Sequence, residues 1–228
     1  MKDKQKFYNQ IAGDFDSIMN MYDTNRRIEV IFKDFLGKTN LAQKKLLDAG
    51  CGTGLFTKEA LARKAKVTSI DIASKLVKLT KNKNPKTTAL TASLLKLPFE
   101  NNHFDIVICS DVIEHTKDPY RATKELIRVL KPGGYLALTV PNRSFWYFSV
   151  ILANLLGIRK YSGYENWVYY KQYQNFLIKN KLNINYYKGV HLFPFVLGKY
   201  NYLIKKLDQK FEKVLSPCMV NIAVLAQK

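Results

Sequence analysis

The chain has 228 residues, 47% of them hydrophobic and 24% charged, which is enough apolar material for one sizeable core and too much for a disordered chain. Its three cysteines, Cys51, Cys109 and Cys218, are odd in number and far apart; that fits neither a disulfide framework nor a zinc knuckle, and points to a reducing, cytoplasmic setting. The net charge of +19 invites anionic partners, nucleic acid or phospholipid headgroups, but 30 Lys against 7 Arg suits a solvated lysine-rich surface better than guanidinium recognition of bases and phosphates.

From the amino terminus, MKDKQKFYNQIAGDFDS has basic residues with no apolar stretch behind them, so no secretory signal is expected. No apolar run reaches the roughly 18 residues of a membrane-spanning helix. KKLLDAG (44–50) predicts a strand, and GLFTKEALARK (54–64) a helix with Phe56, Ala60 and Leu61 on one face. VTSIDIA (67–73) predicts a second strand, with Ser74 as the cap of the helix SKLVKLTKN. A short third strand is expected over TTALTA (87–92). HFDIVICS (103–110), rich in β-branched residues, reads as a fourth strand buried on both faces. Asp118 and Pro119 read as N-cap and first residue of a helix whose apolar stripe is Ala122, Leu126 and Val129. KPGG (131–134) then turns the chain into YLALTVPN, a fifth strand. Strands alternating with helices imply a parallel sheet. After Asn142 the texture changes: SFWYFSVILANLLGI (144–158) is almost unbroken apolar, and aromatic residues crowd the chain up to Tyr202. MVNIAVLAQK (219–228) predicts a closing strand.

The stretch LLDAGCGTGLF (46–56) places Gly50, Gly52 and Gly54 at every second position where a strand meets a helix. A backbone without side chains, next to a helix amino terminus, is suited to holding a nucleotide-like ligand. Asp71 lies 21 residues beyond Gly50, at the end of the second strand, where a carboxylate can accept hydrogen bonds from both ribose hydroxyls. In a dinucleotide fingerprint, GxGxxG, the third glycine would fall at position 55, which is Leu55. The GxGxG spacing, preceded by Asp48, suits an adenosine compound with a zwitterionic amino-acid tail, whose ammonium Asp48 can help to orient.

At this point the chain resembles the class I S-adenosylmethionine-dependent methyltransferases, through LLDAGCGTG, VTSIDIA, LPFENNHFDIVICSDVIEHTKDP and LKPGGYLALTVPN, in the right order over residues 46 to 142. The resemblance implies an α/β Rossmann-like seven-stranded sheet, mostly parallel with an antiparallel last strand, and helices on both faces. It implies one domain: a helical cap (1–43), a cofactor-binding core (44–142), an apolar and aromatic elaboration on the substrate side (143–217) and a closing strand (218–228). S-adenosyl-L-methionine would be lined by Gly50, Cys51, Gly52 and Gly54, with Asp71 on its ribose, Ile72 and Leu94 by the adenine, and Ser110 by the methionine moiety. Ser93 stands where many relatives carry an acid on the adenine amino group; its hydroxyl can accept a hydrogen bond but brings no charge.

Methyl transfer from a sulfonium is an in-line displacement with a good leaving group, so alignment is the main demand, and no catalytic triad is needed or found. A hydroxyl acceptor needs a base. Of the three histidines, His103 reads as a surface residue before the fourth strand; His115 and His191 are the catalytic candidates. Asp111, Glu114 and His115, at i, i+3, i+4, would share a face on a helical turn and form an open site for a divalent cation; capping and packing of their loop is the commoner role for such a group.

A narrower resemblance, to the ubiquinone-biosynthesis O-methyltransferases, rests on Asn142 and Arg143 opening an apolar insert. It implies contact with lipid and a polyprenylated phenol, and a cofactor contact from Arg27 or its neighbour Arg26. As a helix, 144–158 would span about 22 Å, short of a hydrocarbon core of about 30 Å. With Arg143, Arg159 and Lys160 flanking it, it suits the interface of an anionic membrane, the inner face of the cell membrane; the other reading is a lid buried over the pocket. Tyr161, Tyr164, Trp167, Tyr169 and Tyr170 add aromatic surface. The expected activity is methyl transfer to a small, largely apolar acceptor at oxygen. A nucleic-acid methyltransferase would need a slot for a flipped base, of which no motif gives a sign, and a non-catalytic scaffold would not need the intact glycines and Asp71.

Overall fold

The computed structural model describes residues 2–156, 165–193 and 200–228. Seven strands form one sheet: β1 (Lys45–Ala49), β2 (Lys66–Asp71), β3 (Thr88–Thr91), β4 (Phe104–Ser110), β5 (Leu130–Pro141), β6 (Asn183–Val190) and β7 (Asn221–Gln227), in the order 3-2-1-4-5-7-6. Strands β3 to β5 pair in parallel through β2, β1 and β4, whereas β7 runs against both its neighbours, β5 and β6. This is the seven-stranded methyltransferase arrangement that the sequence led us to expect.

Period-two alternation places the core on both faces of the sheet. Leu46, Val67, Ile106 and Ile108 point into one apolar cluster with Val30, Ile31, Phe32 and Phe56. Their sequence neighbours Leu47, Val107 and Cys109 point into the other, with Leu126, Tyr173 and Leu177. Helices therefore cover both sides. They are α1 (Lys2–Ile11), α2 (Phe15–Ile18), α3 (Met21–Glu29), α4 (Leu55–Ala62), α5 (Ser74–Lys83), α6 (Pro119–Val129), α7 (Tyr147–Leu155), α8 (Tyr170–Lys179) and α9 (Asn201–Leu215) among the described residues, with a π-helical turn over Val30–Phe35.

Helix α6 starts as expected: the Asp118 carboxylate accepts the Arg121 N–H at 2.9 Å, Pro119 opens the helix, and Ala122, Leu126 and Val129 are fully buried. Two local expectations are corrected. Ser74 is the first residue of α5 rather than its cap; the cap is lent by Asn9 of α1, whose Oδ1 accepts the Lys75 N–H at 2.9 Å. KPGG is not a turn ahead of β5 but lies within it, in a stretch where the pairing with β4 shifts register between Phe104 and Ile106.

The apolar insert forms α7, but it does not close over the centre of the molecule. Phe145, Phe148, Leu152, Leu155 and Leu156 are exposed, Phe148 at 72% and Leu155 at 80%, and among the described side chains of 143–156 none lines the main cavity. The described part of the segment thus turns its apolar side outward. Arg159, Lys160, Tyr161 and Tyr164 lie outside the described residues.

Candidate functional site

Parallel strands leave their carboxyl ends on one edge of the sheet, and the loops after β1, β2 and β4 meet there. They wall a cavity of about 500 Å³, closed from above by α1, α2 and the start of α3. A cavity at the carboxyl edge of an open α/β sheet is where such folds bind ligands.

The three loop glycines all have positive φ, which suits residues without a Cβ, but they do different work. Gly50 and Gly52 line the cavity; Gly54 does not. A side chain at Gly50 would strike Val112, and one at Gly52 would press on the Phe15 ring at 3.2 Å. At Gly54 it would meet Asn84 and Thr80 of the α5 region. The structure shows a packing duty at Gly54: it lets α4 start hard against the α5 region, with the Asn84 amide donating to its carbonyl at 3.2 Å.

Asp71 binds the loop as well as facing the cavity. Its Oδ2 accepts the Gly52 N–H at 3.1 Å and its Oδ1 the Ala73 N–H at 2.9 Å, while burial raises its pKa above the usual carboxylate value. Asp48 is buried beneath the loop, accepts the Thr57 hydroxyl at 2.6 Å, and is pushed up to about 6, by burial first and then by the charge of Asp71. Cys51, Ile72, Ser93, Leu94 and Ser110 also line the cavity. Burial lifts the Cys51 thiol well above its ordinary value, so it is a packing thiol rather than a nucleophile.

Of the two candidate arginines, Arg27 reaches the cavity and Arg26 does not; Arg26 instead pairs with Glu29 and Asp34 at 3.1 and 3.7 Å. Arg27, 3% exposed, gives Nη1 to Ser110 Oγ at 2.8 Å and stands 3.5 Å from Asp111 Oδ2. Burial opposes its charge, but Asp111 and Asp23 beside it hold it above its ordinary value. Asp111 is further tied by the Thr139 hydroxyl at 2.7 Å and the Asn221 amide at 3.2 Å.

The Asp111, Glu114, His115 cation site does not assemble. Asp111 sits at φ 49° before the short 3₁₀ turn Ile113–His115, so the three do not share a helical face. No group of three or more His, Cys, Asp and Glu among the described residues is placed to hold a metal ion. His115 does line the cavity: its Nε2 is 3.7 Å from Glu114 Oε1, and its ring meets the Tyr8 ring edge-on. Glu114 is 2% exposed; burial, then the charge of Asp111, raises it well above the ordinary carboxylate value. His191 lies elsewhere. It is buried behind Arg27 at the end of β6, outside the cavity wall, because the chain after β6 turns inward at φ 66°.

Sequence reasoning missed the contribution of the amino-terminal helices. Lys4, Phe7, Tyr8, Ile11, Phe15 and Met19 all line the cavity. Burial lowers Lys4 to about 8, against the pull of Glu165 and Glu114. The available signal was the apolar spacing of Phe7, Ile11 and Phe15, at i, i+4 and i+8.

A family profile described as a methyltransferase domain matches residues 47–138. The ubiquinone biosynthesis O-methyltransferase of Pseudomonas fluorescens (strain Pf0-1) is 34% identical over 115 residues, 47% of this chain and 48% of that protein. An S-adenosylmethionine-dependent methyltransferase from Mesorhizobium loti superposes with a TM-score of 0.62 at 17% identity, covering 83% of this chain and 93% of that one. Over residues 47–138 the chain is thus similar to the S-adenosylmethionine-dependent methyltransferases, and the fold around that stretch is their seven-stranded sheet. It spans about half the length of the curated relatives it matches. The same fold also serves other chemistry: the [4+2]-cyclase SpnF superposes with a TM-score of 0.62 at 19% identity, covering 89% of this chain and 80% of that one. The site fits the cofactor that the family implies, since a bare main chain at Gly50 and Gly52 faces the cavity together with the carboxylate of Asp71.

Proposed function

We propose that this methyltransferase transfers a methyl group from S-adenosylmethionine to an oxygen of a small, largely apolar acceptor. The observation that carries the reading is one cavity with two unlike ends: the glycine loop with Asp48 and Asp71, and an apolar roof of Phe7, Tyr8, Ile11 and Phe15. Asp71 would take the ribose hydroxyls, Ile72, Ser93 and Leu94 the adenine, Gly50, Cys51 and Gly52 the backbone-facing edge of the tail, and Asp48 its ammonium. Arg27 and Ser110 would meet the methionine end. When bound, the cofactor supplies a methyl group on a positively charged sulfur.

The chain itself supplies alignment, dryness and a base. The aromatic roof excludes water, which favours a reaction that disperses charge. His115, on the cavity wall beside Glu114, would receive the acceptor's proton.

We further read the outward face of α7 as an interfacial contact with an anionic membrane. Phe145, Phe148, Leu152 and Leu155 form its apolar side, with Arg143 at the near end, itself stacked on Tyr147 and Tyr169 at 4.9 and 5.2 Å. Among the described residues no helix is long and apolar enough to cross a membrane, so contact at the surface is the relevant mode. An acceptor drawn from that surface would be lipid-like or a phenol or quinol with an apolar tail.

The test is incubation with S-adenosylmethionine labelled in its methyl group and a cell extract separated into lipids, small metabolites and RNA. Label is expected in the lipid or apolar-metabolite fraction as an alkali-stable ether. Label in RNA alone, or none in any fraction, would overturn the reading.

A further inference from the structure

Four ionisable side chains from three separate parts of the chain form a buried row that ends at Arg27 on the cavity wall, and three of them, Asp208, His191 and Asp23, have no part in the proposed chemistry. Asp208 of α9 accepts the Leu192 N–H through Oδ1 at 2.7 Å, and its Oδ2 stands 3.7 Å from His191 Nδ1. His191 Nε2 lies 3.0 Å from Asp23 Oδ1. Asp23 Oδ2 accepts Arg27 Nε at 2.8 Å and pairs with Nη2 at 2.8 Å; Nη2 donates to the Thr24 hydroxyl at 3.4 Å, and Nη1 to Ser110 Oγ. Asp208, His191, Asp23 and Arg27 are 2, 1, 7 and 3% exposed.

Stability is a poor reason for such a row. Buried ion pairs often stabilise a fold no more than apolar residues of the same volume, because desolvation offsets the attraction. What the row does provide is orientation. A guanidinium is flat and rigid, so holding one of its edges aims the other. Asp23 can hold that edge only if its own carboxylate is fixed, and His191 fixes the second oxygen. His191 in turn is placed by a left-handed backbone, φ 66°, an uncommon and costly conformation for a residue with a side chain. Its carbonyl accepts the Val220 N–H at 2.9 Å, and its ring lies 5.6 Å from that of Tyr22. Asp23 is held below the ordinary carboxylate value: burial pushes it up, and Arg27 and His191 outweigh that.

We propose that His191 and Asp208 are positioning residues for Arg27, fixing through Asp23 the direction of its guanidinium at the methionine end of the cavity, so that the carboxy-terminal helix α9 sets how tightly the cofactor is held without touching it. The inference rests on the reading of this cavity as the S-adenosylmethionine site. It also changes the part assigned to His191, from a candidate base to a residue acting through Asp23 and Arg27.

Two readouts on the full chain separate this from a merely structural role. The ¹⁵N-detected Nε–H of Arg27 reports the row without any ligand, and titration with S-adenosylhomocysteine reports its consequence. In His191→Leu the Arg27 Nε–H should exchange with water at least about tenfold faster, and the S-adenosylhomocysteine Kd should rise about tenfold, as for loss of a buried charge-assisted bond. His191→Gln retains a donor near the Nε2 position and should recover both to within about threefold. Asp208→Asn, a milder change that still accepts the Leu192 N–H, should move both readouts in the same direction and stands in should His191→Leu not fold. Leu177→Ala, buried on α8 in the apolar cluster that does not include the His191 neighbour Val190, should lower Tm and leave both unchanged. Equal losses in His191→Leu and His191→Gln, or a Tm loss like that of Leu177→Ala with unchanged Arg27 exchange, would overturn the proposal. Altered Arg27 exchange in a protein whose wild type binds no S-adenosylhomocysteine would uphold the row and overturn the cofactor reading.

Discussion

The Asp71 carboxylate and the Gly52 amide are hydrogen-bonded at 3.1 Å, so the acid at the end of β2 and the glycine loop after β1 form one piece. The carboxylate proposed to take the ribose thus also shapes the main chain proposed to hold the rest of the cofactor. Strand pairing enforces this: β1 and β2 run in parallel register with Ala49 beside Ile70, and the Ile70 carbonyl accepts the N–H groups of both Gly50 and Cys51 at 2.8 Å.

The loop glycines should separate by their different duties. Gly52→Val is expected to abolish binding of S-adenosylhomocysteine while the protein stays folded, because the Phe15 ring it meets belongs to the roof. Gly54→Ala should instead destabilise, by about 1–3 kcal/mol through αL strain and the clash with Asn84, and weaken binding only in proportion. Denaturant titration and calorimetry on both variants check this; the reverse pattern would assign Gly54 to the ligand after all.

Asp48 gives a pH dependence with a defined sign. Its folded value is raised to about 6 from the ordinary aspartate value of 3.8, so the folded state binds the proton more tightly than the unfolded one. The contribution of this group to stability is therefore most favourable below the unfolded value and is lost as pH rises through about 6, a change of about 3 kcal/mol. Asp48→Asn removes it, so the stability of the variant relative to wild type should rise by that order between pH 4 and 7.5. Ligand binding runs the other way: a protonated Asp48 cannot pair with an ammonium, so wild-type affinity should fall below pH about 6. Calorimetry across that range checks both.

His115→Ala should lower kcat by about 10²–10⁴ with S-adenosylhomocysteine affinity almost unchanged, as for loss of a general base. Stopped assays with the acceptor fraction identified by methyl labelling measure it. Unchanged kcat would place the base elsewhere.

The exposed face of α7 predicts vesicle binding. Phe148→Glu with Leu152→Glu should reduce partition onto phosphatidylglycerol vesicles at least tenfold, since each large apolar side chain buried contributes about 1.5–3 kcal/mol, and should leave Tm unchanged. Sedimentation with vesicles and a thermal scan test this together.

The fold was legible because its strands are short apolar runs between unambiguous punctuation: glycine after β1, Asp118–Pro119 before α6, and a run of β-branched residues in β4. The cavity floor was legible for the same reason, since strand ends and glycines are local signals. The roof was not. The spacing of Phe7, Ile11 and Phe15 marks an apolar face, but that this face and Lys4 meet the cavity depends on the way α1 and α2 fold back across the sheet edge, a tertiary relation. His191 was misplaced on similar grounds: as an isolated histidine in an aromatic stretch it resembled a pocket residue, and its burial between Asp23 and Asp208 depends on α9 and α3 meeting behind Arg27. The Ser74 cap was displaced by Asn9, a residue 65 positions away.

The central claim is that Asp71 and the loop it braces hold S-adenosylmethionine, and calorimetric titration of wild type and Asp71→Ala with S-adenosylhomocysteine tests it most directly. We predict saturable one-to-one binding by wild type, weakened in the variant by about 1–3 kcal/mol through unpaired ribose hydroxyls. Equal affinity in the two proteins, or no heat with wild type at millimolar ligand, would contradict it.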